Sequence, residues 1–378
     1  MEENVMKTLA LTVMLLLLIS SIAAIASLAS TRFCAKYSVV RYMVKQVYII
    51  EYHGDKKFNT SKLMLNLFSI PLNFTQKTSY EAYVNGTEVR VDEVNINGTL
   101  YAKVPSIILN KQSSVNYTLV FTIDVIDAEN RYPDYGTITQ YLNETSLTES
   151  TKLWNFSHPI ISSVIKEEKF RSLKDIVEWF HYLKKKGLLK YKTHMPPLYP
   201  WEVLKKGEGD CDEQANLFIT IARGMNIPTF LQYGIVYIEN YTYSLTVNDV
   251  YEYVLVNTGW HGWVIAYDED IDAWIPIDMT LHIKLESLPE YAGGAVMLNR
   301  TIIWGNIVMG DYIGEFNKFI KELKEYNVTV KEYDETRKLG SWHYSEHICL
   351  SDFVPTFLCL QVISISYIWY MGRKRELL

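Results

Sequence analysis

The sequence predicts an α+β protein, and three observations along the chain support this. Residues 38–127 alternate polar and apolar side chains in short runs, which is typical of β-strands. Helical spacing of apolar residues begins after residue 157, and residues 259–280 return to the pattern of a two-stranded hairpin. We therefore expect an antiparallel β-sandwich at 38–127, followed by a domain that combines helices with strands.

The first clear helix is predicted to begin after Ser172. A serine at this place is a good N-cap, and the apolar residues that follow it lie three or four positions apart. Gly187 follows three lysines, which suit the C-terminal end of a helix dipole. The sequence therefore predicts a helix between Ser172 and Gly187 with one apolar face.

A second helix is predicted directly behind Cys211. Residues 212–223 carry apolar side chains at helical spacing, and Gly224 is expected to end the helix. A glycine-rich acidic run precedes the cysteine, so its thiol lies at a turn where a helix begins. The positive end of a helix dipole favours the thiolate over the thiol. Cys211 is therefore a candidate nucleophile.

A base and an orienting carboxylate are expected on the hairpin around the acidic turn at 268–271. If this turn forms the loop, Tyr267 pairs with Asp272, and counting back places His261 opposite Asp278. A slip of one residue would separate the two side chains onto opposite faces. In this register the carboxylate can fix the tautomer of an imidazole that accepts the thiol proton.

Four motifs in this part of the chain resemble those of a known family. They read GDCDEQANLF, ARGMNIP, HGW and WIPIDMT in chain order. Together they are similar to the transglutaminase-like superfamily of papain-like cysteine enzymes, over roughly residues 140–285. The resemblance implies a papain-like core in which Cys211 is the nucleophile, His261 the base and Asp278 the orienting residue. It also agrees with a β-sandwich ahead of the catalytic part.

The implied reaction is acyl transfer at a peptide or side-chain amide of a protein or peptide substrate, through a thioester on Cys211. We expect a protease or amidase, with two alternatives: a cross-linking transglutaminase and a catalytically inert surface module of the same fold. Trp201 and Trp263 are further candidates for lining an oxyanion site or cleft, against the alternative of packing aromatics. The expected chemistry needs no cofactor and no metal.

Both ends of the chain are apolar. Residues 8–29 carry no charge and form either a signal peptide or an uncleaved N-terminal anchor. Residues 353–371 also carry no charge and are long enough to span a bilayer as a helix. The basic run 373–375 follows and belongs on the cytoplasmic side. We therefore expect a cell-membrane protein with an extracellular ectodomain and a short cytoplasmic tail.

Glycosylation motifs are frequent between the two apolar ends, which fits a glycoprotein on an exported surface. The ten Asn-x-Ser/Thr sequences begin at Asn59, Asn73, Asn85, Asn97, Asn116, Asn143, Asn155, Asn240, Asn299 and Asn327.

Charge and domain arrangement complete the prediction. The net charge of −6 offers no basic surface, which argues against a nucleic-acid partner and leaves the membrane and a protein substrate as expected partners. The predicted division is 1–30 as signal peptide or anchor, 38–127 as β-sandwich, 140–285 as catalytic domain, 286–350 as a C-terminal extension packing on it, and 353–371 as a transmembrane helix.

Overall fold

The computed structural model describes residues 37–72, 75–96, 99–128, 144–281, 283, 288–298 and 300–344. The chain divides into two compact units, Met1–Ser38 with His343–Leu378, and Val39–Trp342. Of the first unit, only residues 37–38 and 343–344 are described. The apolar segments 8–29 and 353–371 therefore lie outside the described residues. Among the residues described, no helix has the length and apolar character needed to cross a membrane.

Fourteen strands and five α-helices make up the described fold. The strands are β1 (Tyr37–Tyr52), β2 (Phe58–Asn59), β3 (Leu67–Ser69), β4 (Gln76–Val84), β5 (Thr87–Glu88), β6 (Asp92–Ile96), β7 (Thr99–Lys103), β8 (Ile108–Leu109), β9 (Ser113–Ala128), β10 (Thr229–Val247), β11 (Tyr251–Asp268), β12 (Ala273–Ile277), β13 (Thr301–Ile307) and β14 (Val328–Tyr344). The helices are α1 (Pro159–Glu168), α2 (Leu173–Lys185), α3 (Pro200–Lys206), α4 (Cys211–Gly224) and α5 (Tyr312–Glu325). The α+β class is confirmed.

One nine-stranded sheet organises the fold, in the order β13-β10-β11-β14-β1-β9-β4-β5, with β12 paired to β11. β14 lies between β11 and β1, and it runs parallel to β11. The residues after 286 therefore do more than pack on the catalytic part, because they supply the edge strand β13 and an interior strand of the sheet.

The strands predicted in residues 38–127 are present, but a separate N-terminal sandwich is not confirmed. β1, β4, β5 and β9 belong to the same sheet as β10 and β11. A second layer of three strands, β3-β7-β6, covers this part of the sheet. The ring of Phe68 in that layer lies 4.8 Å from Tyr48 and 5.8 Å from Tyr117, measured between ring centres. The two layers thus share a core with strands from the rest of the unit.

Both predicted helices are present, but the role of the glycine at the end of the second helix differs from the predicted one. Ser172 caps α2 by accepting a hydrogen bond from the Asp175 amide, as expected. Gly224, by contrast, lies inside the last turn of α4. A Cβ atom at this position would lie 2.5 Å from the Ile165 side chain, so glycine is required by close packing against α1 rather than by a helix stop.

The hairpin of β11 and β12 has a different register from the one expected. Tyr267 pairs with Trp274 rather than with Asp272, so the strands are shifted by two residues. Because side chains alternate between the two faces of a strand, a shift of two keeps each side chain on its predicted face. His261 and Asp278 therefore share a face, although they are not directly opposed.

Candidate active site

Cys211 is the first residue of α4, and the turn before it is held by reciprocal hydrogen bonds. Asp210 caps the helix, and its own amide donates to Glu213 Oε2 at 2.9 Å, completing a capping box. The other oxygen of the buried Glu213 accepts from the Leu198 amide at 2.6 Å. These bonds tie the start of α4 to the segment before α3 and fix the position of the thiol.

Strand β11 lies directly against the first turn of α4, and Gly262 makes this approach possible. A Cβ atom at Gly262 would lie 3.0 Å from the Asp212 Cβ and 3.3 Å from its Cα. The Gly262 amide donates a hydrogen bond to the Cys211 sulfur. His261, the neighbouring residue on β11, is thereby carried to the end of α4 that holds the thiol.

His261 and Asp278 form a short hydrogen bond, with 2.6 Å between His261 Nε2 and Asp278 Oδ2. Asp278 is 1% exposed, and its carboxylate also accepts from the amides of Thr280, Leu281 and Ala295. Burial alone would raise the pKa of Asp278. The His261 hydrogen bond and charge, with the Leu281 and Thr280 amides, outweigh burial and lower it below its ordinary value. Asp278 is therefore an ionised partner for the imidazole.

The Cys211 thiol is 9% exposed, and the structure reverses the expectation that its surroundings favour the thiolate. Burial, followed by the charges of Asp212 and Asp210, raises the pKa of Cys211 well above its ordinary value. The Gly262 hydrogen bond acts in the opposite direction, and the charge of Asp278 raises the pKa further. The helix N-terminus is outweighed first by burial of the thiol and then by the acidic side chains beside it.

The two flanking carboxyl groups are joined by a hydrogen bond. Burial, the charge and hydrogen bond of Asp212, and the charge of Glu213 raise the pKa of Asp210 to about 10. At neutral pH Asp210 therefore carries a proton and can donate it to the Asp212 carboxylate. Ligand atoms of Asp210, Cys211 and Asp212 lie within 4.8 Å of one another, the one group of at least three potential metal ligands in the described ranges.

A family comparison matches the part of the chain that carries Cys211, His261 and Asp278. Residues 162–279 match the transglutaminase-like superfamily. This range contains all three residues, and it covers less than half of the chain. No curated protein matches the sequence.

Two solved structures are similar to this chain at low levels. The first, from Cytophaga hutchinsonii, is a proposed cysteine protease with 10% identity and a TM-score of 0.42, covering 82% of this chain and 90% of its own. The second, from Parabacteroides distasonis, is a proposed protease with 12% identity and a TM-score of 0.23, covering 64% of this chain. This chain spans about half the length of the second protein, 48%. Similarity at this level does not establish a shared activity.

The two tryptophans proposed for the cleft have different surroundings. Trp201 is stacked between the rings of His158 and Tyr199, at 4.7 and 4.6 Å between ring centres. Trp263 is 0% exposed, and its indole N–H donates to Gln232 at 3.1 Å. Its ring centre lies 5.8 Å from that of His261. Trp263 therefore supports the imidazole from the core, and the observed contacts of Trp201 are those of a packing aromatic.

Several residues at the site were not predicted from the sequence. The Gly262 amide and the flanking Asp212 are visible in the motifs, but their roles depend on how closely β11 approaches α4. Lys184 of α2 donates to the Met279 carbonyl beside Asp278, and burial lowers its pKa although the Asp278 charge opposes this. Tyr312 of α5 donates to Asp212 at 2.5 Å. No local signal marks Tyr312, because its contact is made 100 residues away along the chain.

Proposed function

We propose that this protein is a cysteine enzyme that transfers acyl groups from peptide or side-chain amides, with Cys211 as nucleophile, His261 as base and Asp278 as orienting carboxylate. The observation that carries the proposal is the His261–Asp278 hydrogen bond of 2.6 Å. Gly262, the residue after His261 on β11, contacts the Cys211 sulfur through its amide. The transglutaminase-like match of residues 162–279 supports the same assignment.

The tautomer of His261 follows from its partner. Asp278 is an acceptor, so His261 Nε2 donates to it, and Nδ1 keeps the lone pair that can accept the thiol proton. When this proton moves, the imidazolium lies beside an ionised carboxylate with a lowered pKa. Asp278 thus stabilises the ion pair that makes Cys211 nucleophilic.

The reaction then has two balanced halves. The Cys211 thiolate attacks the amide carbonyl carbon, and in this proposal the free amide N–H groups at the start of α4 stabilise the oxyanion. Collapse of this intermediate breaks the C–N bond, and the imidazolium gives its proton to the leaving amine. A thioester remains. In the second half His261 takes a proton from water and the hydroxide attacks the thioester carbonyl. The C–S bond then breaks, the carboxylic acid leaves, and the imidazolium returns its proton to the Cys211 thiolate.

We propose hydrolysis, as in a protease or amidase, as the main outcome. Cross-linking is the alternative, in which a lysine amine replaces water in the second half. The same three residues serve both reactions, because only the acceptor differs. Supplying a primary amine during turnover separates the two, since a cross-linking enzyme forms the secondary amide in preference to the free acid.

The raised pKa of Cys211 favours a second candidate, an inert surface module of the same fold. A thiol that stays protonated in the resting protein is a poor nucleophile by itself. It becomes reactive only if His261 accepts its proton when a substrate is bound. The enzyme and the inert module therefore differ in whether reactivity of Cys211 depends on His261.

An amide-mimicking electrophile tests the proposal directly. In the full-length protein we expect it to label Cys211 faster than free cysteine and glutathione in solution, which act as references for ordinary thiols. His261→Ala is expected to slow labelling of Cys211 about 100-fold, through loss of the base. Labelling of Cys211 no faster than the references, together with no effect of His261→Ala, would support the inert module.

We also propose that the chain is anchored at the cell membrane with residues 39–342 outside. The support is in the sequence, from the two apolar segments and the ten glycosylation motifs between them. The side chains of Asn59, Asn85, Asn240 and Asn327 are exposed. Expression in a glycosylating host and treatment with an N-glycosidase should lower the apparent mass. Unchanged mobility of membrane-inserted protein would contradict this topology.

A further inference from the structure

The carboxylate next to the nucleophile is held by a chain of hydrogen bonds that leads out of the family-matched range. Tyr312 of α5 donates to Asp212 Oδ2 at 2.5 Å. Asn216, one turn further along α4, donates to the Tyr312 hydroxyl at 2.6 Å. Trp154 donates its indole N–H to Asn216 Oδ1 at 2.9 Å. Four side chains from three separate segments therefore form one chain of hydrogen bonds, and its last member is Asp212, the residue after Cys211.

The direction of this chain is fixed by its chemistry. The indole N–H of Trp154 can only donate, so the Asn216 atom it contacts is the carbonyl oxygen. The amide nitrogen of Asn216 then donates to the Tyr312 oxygen, which leaves the Tyr312 proton for Asp212. Burial and the Asp212 charge raise the pKa of Tyr312 well above its ordinary value, so the hydroxyl stays protonated.

A second contact fixes the helix that carries Tyr312. Asp311 caps α5 by accepting from the Gly314 amide. Its carboxylate also accepts from the Tyr199 hydroxyl at 3.0 Å and lies 2.6 Å from Lys152 Nζ. The start of α5 is thus tied to the residue before α3, and the hydroxyl of Tyr312 has a defined place beside α4.

We propose that Tyr312 is a positioning residue of the Cys211 site, which holds the Asp212 carboxylate and so sets how much negative charge the thiol sulfur meets. Asp212 follows Cys211 directly along the chain, and its carboxylate is bound by α5, a helix outside residues 162–279. The consequence for catalysis rests on the proposed function. The contacts of Tyr312 and the reactivity of the Cys211 thiol can be measured whether or not the protein is an enzyme.

The other groups that act on Cys211 by charge are Asp210 on the same turn, Asp278 after β12 and Tyr191 in the segment between α2 and α3. The proposed base, His261 on β11, is a further titratable group of the site. All of them stay in place when only the Tyr312 hydroxyl is removed. A change in thiol reactivity on that removal therefore reports the Asp212 carboxylate.

The test is the pH dependence of Cys211 alkylation by iodoacetamide in the full-length protein, followed by mass spectrometry of the peptide that contains Cys211. Tyr312→Phe is expected to raise the midpoint by about 0.5–1 pH unit, or about three- to tenfold slower alkylation below the midpoint. Asp212→Asn is expected to lower the midpoint. In the Asp212→Asn background, Tyr312→Phe should have no further effect, because the charge it controls is gone.

Tyr291→Phe is the matched control, because Tyr291 also donates to a carboxylate, Asp268, at the far end of β11. It should leave the Cys211 profile unchanged. An unchanged midpoint in Tyr312→Phe, or an equal shift in the Asp212→Asn background, would overturn the proposal. If Tyr312→Phe does not fold, an Asp212→Asn midpoint equal to wild type overturns it alone. The alkylation profile needs no turnover, so failure of this inference is separate from failure of the proposed function.

Discussion

Two regions of the large sheet bury carboxyl groups, and they shift the pKa values of those groups in opposite directions. Asp278 lies at the end of β12, bonded to His261 and to backbone amides, and its pKa is lowered. Glu332 and Asp334 lie on β14, and burial raises the pKa of both. Burial acts in the same direction at all three carboxyl groups. The difference lies in their partners.

The side chains that donate hydrogen bonds to Glu332 and Asp334 in the described part of the chain are all neutral. Glu332 accepts from the hydroxyls of Tyr48 and Tyr251, the first at 2.6 Å. Asp334 accepts from the Trp260 indole at 2.8 Å, from the Gln46 amide at 3.2 Å and from the Tyr253 hydroxyl at 3.3 Å. Neutral donors lower a carboxyl pKa less than burial and a second acidic group raise it.

The two regions therefore differ in one respect. Asp278, the carboxylate with a proposed function, has a partner that can carry positive charge, and the two structural carboxyl groups do not. Trp260 and His261 are neighbours on β11, and successive side chains of a strand point to opposite faces. One face therefore carries the ionised Asp278 for the proposed chemistry. The other face carries a network around two carboxyl groups with raised pKa values, and it joins β1, β11 and β14.

The largest expected effect is on turnover. Asp278→Asn keeps the shape of the side chain but cannot stabilise an imidazolium, so we expect turnover to fall about 10²- to 10⁴-fold with the fold retained. Glu332→Gln and Asp334→Asn should each leave turnover within about threefold of wild type. Steady-state rates of the three variants give the comparison. Equal losses at both sites would end the distinction between them.

A smaller effect is expected in the pH dependence of stability. The raised pKa values mean that, above the ordinary carboxyl pKa, the folded protein keeps protons that the unfolded chain has lost. Each such proton lowers the free energy of unfolding by about 1.4 kcal/mol per pH unit. Stability should therefore fall as pH rises from about 4.5 until the pH passes the folded pKa values.

The double variant Glu332→Gln with Asp334→Asn removes these groups and should flatten that decline. Urea unfolding of wild type and double variant at a series of pH values measures it. Asp278→Asn is the matched control, since its lowered folded pKa contributes on the acid side, where stability is lost as pH falls. If the free energy of unfolding falls as steeply with rising pH in the double variant as in wild type, these carboxyl groups do not keep extra protons in the folded protein.

The smallest effect is expected from Trp260→Phe. It removes one donor to the buried Asp334 and should lower the free energy of unfolding by about 1–3 kcal/mol. Turnover should stay within about twofold, because the indole lies on the face away from Asp278. Unfolding and steady-state assays on the same preparation compare the two. A turnover loss as large as that of Asp278→Asn would mean that the two faces of β11 are coupled.

The site was predictable to the extent that its signals are local. The helix start at Cys211 is marked by glycine and acidic residues, and the shared face of His261 and Asp278 follows from strand alternation. The exact register did not follow, because the four-residue turn lies at 269–272, one residue later than assumed, and includes Asp272 with its positive φ of 51°. A shift of two residues left the predicted face intact.

Other parts depended on contacts between distant residues. β14 carries Lys331, Glu332, Asp334 and Glu335, and such charge density does not suggest an interior strand. It becomes one because donors from β1 satisfy its carboxyl groups across 284 residues of chain, as Tyr48 does for Glu332. The raised pKa of Cys211 also escaped prediction, since it depends on burial and on acidic side chains whose orientation the sequence does not show.

The central claim is that Cys211 forms a thioester during turnover. The most direct test mixes the full-length protein with peptides that carry ester or amide groups, quenches with acid and measures the mass of the peptide containing Cys211. The account predicts an increase equal to the acyl group in wild type, which disappears as substrate is exhausted and is absent from Cys211→Ala. Turnover by wild type without an adduct on Cys211, or equal turnover by Cys211→Ala, would contradict it.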